Sequence, residues 1–250
     1  MIGSLGIDEI EREYRAFLES AAADENVVGV VLSGSRGAGV FVTDRSDFDV
    51  FVVTREPDDR WPFVYGSAVE LVALTLDLFE TYALPGGRDA WNRPAFLFAK
   101  VEIDRLDGAI GRIVERKRRL TPEEAKTIAA ESLDDYINAL LRSLRNLEAG
   151  RELEGRLDAA EAIPPLLTTA FALEGRVRPF NKWLRHDLDR EPLPIDGLLS
   201  RIDRIRGEAD LGEQRALFRD MERLAREAGH GAVVDSWEPN VAWLRGENPG

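Results

Sequence analysis

The spacing of hydrophobic residues changes at about residue 120. Before this point, short apolar runs with strand-like spacing are separated by turns and follow one amphipathic helix. The pattern predicts a first helix at residues 7–23 and strands at residues 27–33, 48–53 and 68–76. A further apolar run at 96–103 fits a helix end or a fourth strand. We therefore expect an α/β (α+β) domain with a small mixed sheet at residues 1–120.

The second half of the sequence has a helical pattern throughout. Thr121, Pro122 and Glu124 supply an N-cap, a first-turn proline and the acidic partner of a capping box. This start predicts a helix to about residue 149, and further helical segments follow at 153–174, 179–188, 195–206 and 211–228. Pro164-Pro165 should kink the segment at 153–174 or split it in two. We expect an all-α helical bundle at residues 121–250.

Two carboxylates and a Gly-Ser turn indicate the chemistry of the first half. Asp47 and Asp49 begin the second predicted strand, and Gly34-Ser35 follows the first. Side chains alternate along a strand, so both carboxylates point to one face. A divalent cation relieves their repulsion, and Mg²⁺ prefers one or two carboxylates together with substrate phosphates. The backbone N–H groups of the Gly-Ser turn are placed to cradle an anion at a helix start. Together these features indicate a site for a metal–nucleoside triphosphate.

The order of these residues resembles the signature of the DNA polymerase β superfamily of nucleotidyltransferases. That signature is an apolar strand, Gly-Ser, a short helix and Asp-apolar-Asp leading a second strand, matched here by Gly34, Ser35, Asp47, Phe48 and Asp49. The Ser-Asp-Phe-Asp form at residues 46–49 is common in the smaller members. The resemblance covers about residues 27–76 and implies that Asp47 and Asp49 hold Mg²⁺ as the cofactor, with Gly34 in the nucleotide-binding turn.

The resemblance also implies a third carboxylate on a neighbouring strand, and Glu70 and Asp77 compete for this place. Glu70 lies near the start of an apolar strand, where a carboxylate is costly unless it meets a metal or a partner. Asp77 fits the cap of a helix that begins there. The two positions are an odd number apart and face opposite ways, so only one joins the aspartates. We favour Glu70 as the third catalytic and metal-binding carboxylate, the alternative being an exposed acid on a sheet edge.

Four side chains are further candidates for nucleotide binding. The resemblance implies that Ser35 donates its hydroxyl and backbone N–H to the terminal phosphates. The guanidinium of Arg36 suits phosphate geometry, although a solvated surface role fits it as well. Ser46 either contacts the nucleotide or shapes the turn before the strand. In the helical half, Lys182 is placed beside Trp183 to reach the triphosphate, the alternative being a surface lysine next to a buried tryptophan.

Composition narrows the class of partner. The 250-residue chain has a formal net charge of −13, which disfavours a nucleic-acid backbone as the main partner and suits a small metabolite or a cationic acceptor. It contains no Cys and only two His, so neither disulfides nor a zinc site are expected. No apolar run approaches the ~18–20 residues of a membrane span, and the first residues lack a signal-peptide pattern. We expect a cytoplasmic protein that does not insert into a membrane.

The layout further resembles kanamycin nucleotidyltransferase and other antibiotic-modifying, aminoglycoside-type members, in which a helical domain helps to hold the acceptor. This implies Mg²⁺-dependent transfer of a nucleoside monophosphate, most simply AMP from ATP, to a hydroxyl of a small molecule, with release of pyrophosphate. One alternative is nucleotidylation of a partner protein, as in toxin–antitoxin pairs, which the additional helical half disfavours. Another is a non-catalytic nucleotide-binding regulatory module, which the retained carboxylates disfavour.

Overall fold

Runs of β-branched and aromatic residues form a four-stranded sheet in the N-terminal unit, residues 1–119. The computed structural model of the protein describes residues 6–247. The strands are β1 (Val27–Leu32), β2 (Phe48–Thr54), β3 (Val69–Thr75) and β4 (Lys100–Asp104), and their order in the sheet is β3-β2-β1-β4. β2 and β3 run parallel, whereas β1 is antiparallel to both of its neighbours, so the sheet is mixed.

Helices of the same unit cover both faces of this sheet. They are α1 (Ile7–Ala23), α2 (Gly34–Ala38), α3 (Leu76–Thr81) and α4 (Ala109–Arg118), together with a 3₁₀ helix at Ala90–Phe96. The α1 face buries Ile10, Tyr14, Ala21, Val27, Val30, Leu32, Phe48, Val50, Val52, Ala68 and Leu71. The opposite face, covered by α3, α4 and the 3₁₀ helix, buries Val28, Val31, Phe51, Val53, Phe79, Ala83, Phe96, Ala99, Ile110 and Val114. Because side chains alternate along β2, Asp49 falls on the second of these faces.

A buried lysine joins two of these helices. Lys117 of α4 is fully buried, and its ammonium donates to the carbonyl oxygens of Glu80 (3.2 Å) and Tyr82 (2.6 Å) at the C-terminal end of α3. A cation is favourable at this end of a helix. Burial, reinforced by the neighbouring Arg116 and Arg93, nevertheless lowers the pKa of Lys117 to about 8. Lys117 therefore binds the C-terminal end of α3, although burial makes its charged form less stable than in water.

The predictions for the first half are confirmed for α1 and for the first three strands, within the usual shift of a residue or two at their ends. The run at 96–103 contains both of its predicted alternatives, since the 3₁₀ helix ends at Phe96 and β4 begins at Lys100. The cap assignment of Asp77 was wrong. Thr75, the extended residue before α3, is the N-cap. Asp77 lies in the first turn, where its negative charge interacts favourably with the helix dipole.

The C-terminal unit, residues 120–250, contains no strand in its described part, up to residue 247. Its helices are α5 (Pro122–Glu148), α6 (Glu152–Leu173), α7 (Leu184–Arg190), α8 (Leu198–Glu208), α9 (Leu211–Glu227), α10 (Gly231–Asp235) and α11 (Asn240–Leu244). The predicted capping box is present, because the Thr121 side chain accepts from the Glu124 N–H and the Glu124 carboxylate accepts from the Thr121 N–H. The prediction of an α/β domain followed by a mostly helical half is confirmed.

Three details of the helical half differ from prediction. Of the two outcomes predicted at Pro164-Pro165, the split does not occur, because α6 continues through both prolines with buried side chains on either side, among them Ala162 and Leu166, and the kink stays a prediction. The segment at 179–188 is a short 3₁₀ turn, Asn181–Trp183, followed by α7. The five-residue helices α10 and α11 were not predicted, since such short segments show little periodicity. Among the described residues, no helix combines the length and apolar character needed to cross a membrane.

Candidate active site

The parallel pairing of β2 and β3 brings three carboxylates together. Asp49 and Glu70 are partners in the register of the two strands, and Asp47 lies two residues before Asp49. Partner residues and residues two apart share a face of the sheet. One carboxylate oxygen from each of Asp47, Asp49 and Glu70 lies within 4.8 Å of the others, and all three residues are half-buried. The structure thus clusters the carboxylates that the sequence points to, while Asp77 is exposed in α3.

The protonation of Glu70 reflects this crowding. Burial raises the pKa of Glu70 above its ordinary value, and the neighbouring Asp47 carboxylate raises it further. The backbone N–H of Gly66 donates to Glu70 Oε1 at 2.8 Å and acts in the opposite direction. Because a nearby positive charge lowers a carboxyl pKa, a bound cation would reverse the net shift. A cation bound at the cluster would therefore favour the charged form of Glu70.

Gly34 provides the space that the Asp49 carboxylate occupies. Its backbone is left-handed (φ +65°), and a Cβ at this position would lie 1.7 Å from Asp49 Oδ2. Ser33 holds the same strand end from the other side, because its N–H and its hydroxyl donate to the Asp49 carbonyl at 2.8 and 3.2 Å. The Gly34 backbone and the Asp49 side chain are thus in direct contact. This is a physical reason for a glycine at position 34.

Ser46 and Arg36 position the loop that leads into β2. Ser46 Oγ accepts from the Thr43 N–H at 2.9 Å, which closes a turn just before Asp47. Arg36 Nε donates to the Ser46 carbonyl at 3.0 Å, and its guanidinium lies 4.2 Å from the centre of the Phe48 ring. The Arg36 side chain is only 9% exposed and approaches Glu11 of α1 at 3.8 Å. These contacts are those of a buried structural arginine, not of the solvated surface arginine that was the sequence-based alternative.

Ser35 lies in the first turn of the short helix α2, next to Gly34. N–H groups in the first turn of a helix point away from the helix body, toward any anion bound there. α2 ends at Gly39, a left-handed residue (φ 68°) whose N–H donates to the Ser35 carbonyl at 2.9 Å. Phosphate binding by the Gly34-Ser35 turn stays a prediction.

Lys182 belongs to the C-terminal unit. It is exposed in the 3₁₀ turn Asn181–Trp183, and its ammonium lies 4.8 Å from the centre of the Trp183 ring. Trp183 itself is buried, with 1% of its surface exposed. This matches the alternative of a surface lysine next to a buried tryptophan, and phosphate binding by Lys182 stays a prediction.

The cluster fits a hard divalent cation. All three of its groups are carboxylates, which are the oxygen ligands that Mg²⁺ prefers, and one oxygen of each lies within 4.8 Å of the others. The three carboxylates could therefore hold a cation of this kind. Sequence reasoning missed two supporting residues, Ser33 and Gly66. The Gly-Ser pair at positions 66 and 67 was the available signal, since it marks a turn just before Glu70.

The chain was compared with protein families, curated proteins and solved structures. Residues 12–131 match the family model described as nucleotidyltransferase domain, and this range includes the whole carboxylate cluster. No curated protein matches the chain. The crystal structure of a nucleotidyltransferase-like protein from Exiguobacterium sibiricum 255-15 is similar to this chain, with 14% sequence identity and a TM-score of 0.46, and the alignment covers 94% of this chain and 77% of that one.

Proposed function

We propose that this chain, whose residues 12–131 match the nucleotidyltransferase domain model, transfers AMP from ATP to a hydroxyl group of a small-molecule acceptor, with Mg²⁺ as cofactor. The acceptor oxygen forms a bond to the α-phosphorus, the bond from that phosphorus to the bridging oxygen of the β-phosphate breaks, and pyrophosphate leaves. The observation that carries this proposal is the register of β2 and β3, which gathers the carboxylates of Asp47, Asp49 and Glu70.

Each carboxylate has a stated part in this proposal. Asp47 and Asp49 would hold Mg²⁺, and Glu70 would complete the set. When bound, the cation supplies charge neutralisation and polarisation of the phosphate that is attacked. Glu70 is also the proposed acceptor of the proton of the attacking hydroxyl, a role supported by its place beside Asp47 and Asp49 in the cluster.

The Gly-Ser turn would bind the terminal phosphates. Ser35 and the first-turn N–H groups of α2 are the proposed donors, and Gly34 leaves room for Asp49 beside them. Arg36 and Ser46 contribute by holding the loop before Asp47, which their hydrogen bond supports. Lys182 remains a proposed phosphate contact, supported by its exposure and its charge.

The C-terminal unit is proposed to hold the acceptor, as in the antibiotic-modifying enzymes that the layout resembles. The net charge of −13 supports a cationic acceptor, because an acidic surface raises the local concentration of cations. The resemblance to kanamycin nucleotidyltransferase stays a prediction.

The test is Mg²⁺-dependent release of pyrophosphate from ATP, GTP, CTP and UTP across a panel of aminoglycosides, lincosamides and metabolites. Asp47→Asn and Asp49→Asn should each lower the rate on the order of 10²-fold or more and leave the fold intact, because each removes one charge from the cluster. Glu70→Gln should also lower the rate. Asp77→Asn is the matched control, since it removes an exposed carboxylate from the competing position, and its rate should equal that of the wild type.

Near-normal turnover by Asp47→Asn or Asp49→Asn would rule out the assigned site. A loss of activity in Asp77→Asn together with normal activity in Glu70→Gln would reverse the choice of the third carboxylate.

A further inference from the structure

Two of the most exposed large apolar side chains in the described chain lie close together just before β3. Phe63 is 72% exposed and Tyr65 is 80% exposed. Single exposed apolar residues are common on proteins, but here two exposed aromatic side chains lie only two positions apart in the sequence. Burial of these rings by a ligand would be favourable, and the direction of the rings determines where that ligand would lie.

The pairing of Val64 fixes the direction of both rings. Val64 forms an antiparallel bridge with Leu71, with N–H···O distances of 3.0 and 2.9 Å in the two directions. Val64 and Leu71 pack together in the hydrophobic cluster under α1. Because side chains alternate along an extended chain, Phe63 and Tyr65 turn to the opposite face of the sheet. Glu70, the neighbour of Leu71, points to that same face.

A hydrogen bond joins this aromatic segment to the carboxylate cluster. Gly66 directly follows Tyr65, and its N–H donates to Glu70 Oε1 at 2.8 Å. The Cα atoms of Tyr65 and Gly66 are about 3.8 Å apart, as across any trans peptide. The backbone of the aromatic segment is therefore hydrogen-bonded to the Glu70 carboxylate directly after Tyr65.

The strand order arranges the candidate groups in one direction across the sheet. From β1 outward, the sheet presents the Gly34-Ser35 turn, then Asp49 on β2, then Glu70 on β3, and finally Val64 with its two aromatic neighbours. In-line displacement requires the attacking hydroxyl to lie opposite the leaving pyrophosphate. If the terminal phosphates lie at the turn after β1, the acceptor approaches from beyond β3.

We propose that Phe63 and Tyr65 form a platform that binds a ring of the acceptor, so that the acceptor class is hydroxyl compounds built on a ring with an apolar face. This inference rests on the proposed function, because it uses the direction of the transfer. Aromatic rings bind flat apolar faces by area and by preferred stacking geometry, which an open-chain polyol does not offer.

The test measures ring binding separately from catalysis. Protein labelled with ¹³C in Phe and Tyr is titrated, in the presence of Mg²⁺ and a non-hydrolysable ATP analogue, with myo-inositol and kanamycin A as ring probes. Sorbitol, an open-chain compound with as many hydroxyl groups as inositol, is the control ligand. We expect a ring probe to shift the Phe63 and Tyr65 signals and sorbitol to leave them unchanged. The double variant Phe63→Ser/Tyr65→Ser should bind that probe about ten-fold more weakly, with unchanged affinity for the ATP analogue.

Two single variants complete the design. Tyr65→Phe keeps the ring and should bind like the wild type, and Leu153→Ser, at a residue that is 68% exposed in α6, controls for the loss of exposed apolar surface. The proposal is overturned if neither ring probe shifts the signals, if the double variant binds the probe normally, or if the double variant loses affinity for the ATP analogue, which would assign the rings to the nucleobase. Absent pyrophosphate release with intact ring binding would count against the proposed function alone.

Discussion

Replacement of Gly34 by Ala tests whether the Asp49 carboxylate must occupy the space beside this glycine. The new Cβ would lie 1.7 Å from Asp49 Oδ2 and 2.7 Å from its carboxyl carbon, whereas real Cβ contacts essentially never fall below 3.0 Å. The carboxylate must therefore move by more than about 1 Å, a distance that costs roughly 10²-fold in rate when reacting groups are misplaced. The Gly34 carbonyl and N–H belong to the rigid start of α2, so the side chain of Asp49 is the part that yields.

The effect on stability should be small by comparison. An L-residue in the left-handed region costs about 1–2 kcal/mol, and the reduced freedom of the unfolded chain returns about 0.4–1 kcal/mol. The net loss from the backbone is then about 1 kcal/mol, which leaves the protein folded. A large loss of activity with a modest loss of stability is the expected signature.

Gly86→Ala is the matched control for this substitution. Gly86 has a similar left-handed backbone (φ +80°), and a Cβ there would meet nothing within 4 Å. Both variants should lose about 1 kcal/mol of unfolding free energy in urea titrations. Only Gly34→Ala should lose pyrophosphate release by about 10²-fold and also lose the rise in melting temperature on addition of Mg²⁺. Equal activity in the two variants would show that Asp49 does not need its observed position.

Three further predictions concern stability and binding. Tyr14→Phe should leave the free energy of unfolding unchanged or raise it by about 1 kcal/mol, because the buried Tyr14 hydroxyl has no hydrogen-bond partner. Tyr82→Phe should lower it by about 1 kcal/mol, because the Tyr82 hydroxyl accepts a hydrogen bond from Asn92 at 2.9 Å. A destabilised Tyr14→Phe protein in urea titrations would contradict this. Lys117 has a pKa of about 8 in the folded protein and near 10.5 in the unfolded chain, so between these pH values the unfolded chain binds more protons. The free energy of unfolding of the wild type should therefore rise by about 3 kcal/mol from pH 8 to pH 10.5, relative to that of Lys117→Met. A pH-independent difference between these two proteins would refute the assignment. The KM of a cationic acceptor should increase with ionic strength, because salt screens its attraction to the acidic surface over about 8 Å. The KM of a neutral acceptor should stay constant, and equal salt dependence of the two would exclude steering by the acidic surface.

Local patterns explain why much of the fold was predictable. Short runs of β-branched and aromatic residues set β1 and β2, the 3.6-residue period sets α1, and the capping box at Thr121 sets the start of α5. Each of these signals lies within a few residues of the element that it defines. The same locality made the shared face of Asp47 and Asp49 visible in the sequence.

Features that depend on pairing over long distances were not predictable. The parity argument left Glu70 and Asp77 as alternatives, and only the register of the parallel strands places Glu70 opposite Asp49. The direction of the Arg36 side chain depends on Glu11 of α1 and on Phe48, which come from separate elements. The bridge between Val64 and Leu71 also escaped prediction, because a single paired residue has no period.

The parallel pairing of β2 and β3 also links ligand binding to the integrity of the sheet. A slip of one residue between these strands would send Glu70 to the α1 face and leave Asp49 without its neighbour. Every molecule with a complete cluster therefore has this strand pair closed and in register. A nucleotide or cation that binds only the intact cluster stabilises the closed strand pair by RT ln(1 + [L]/Kd), so the stabilisation grows with the logarithm of its concentration. Amide protons buried between β2 and β3 will thus report ligand binding through slower hydrogen exchange, without any chemical turnover.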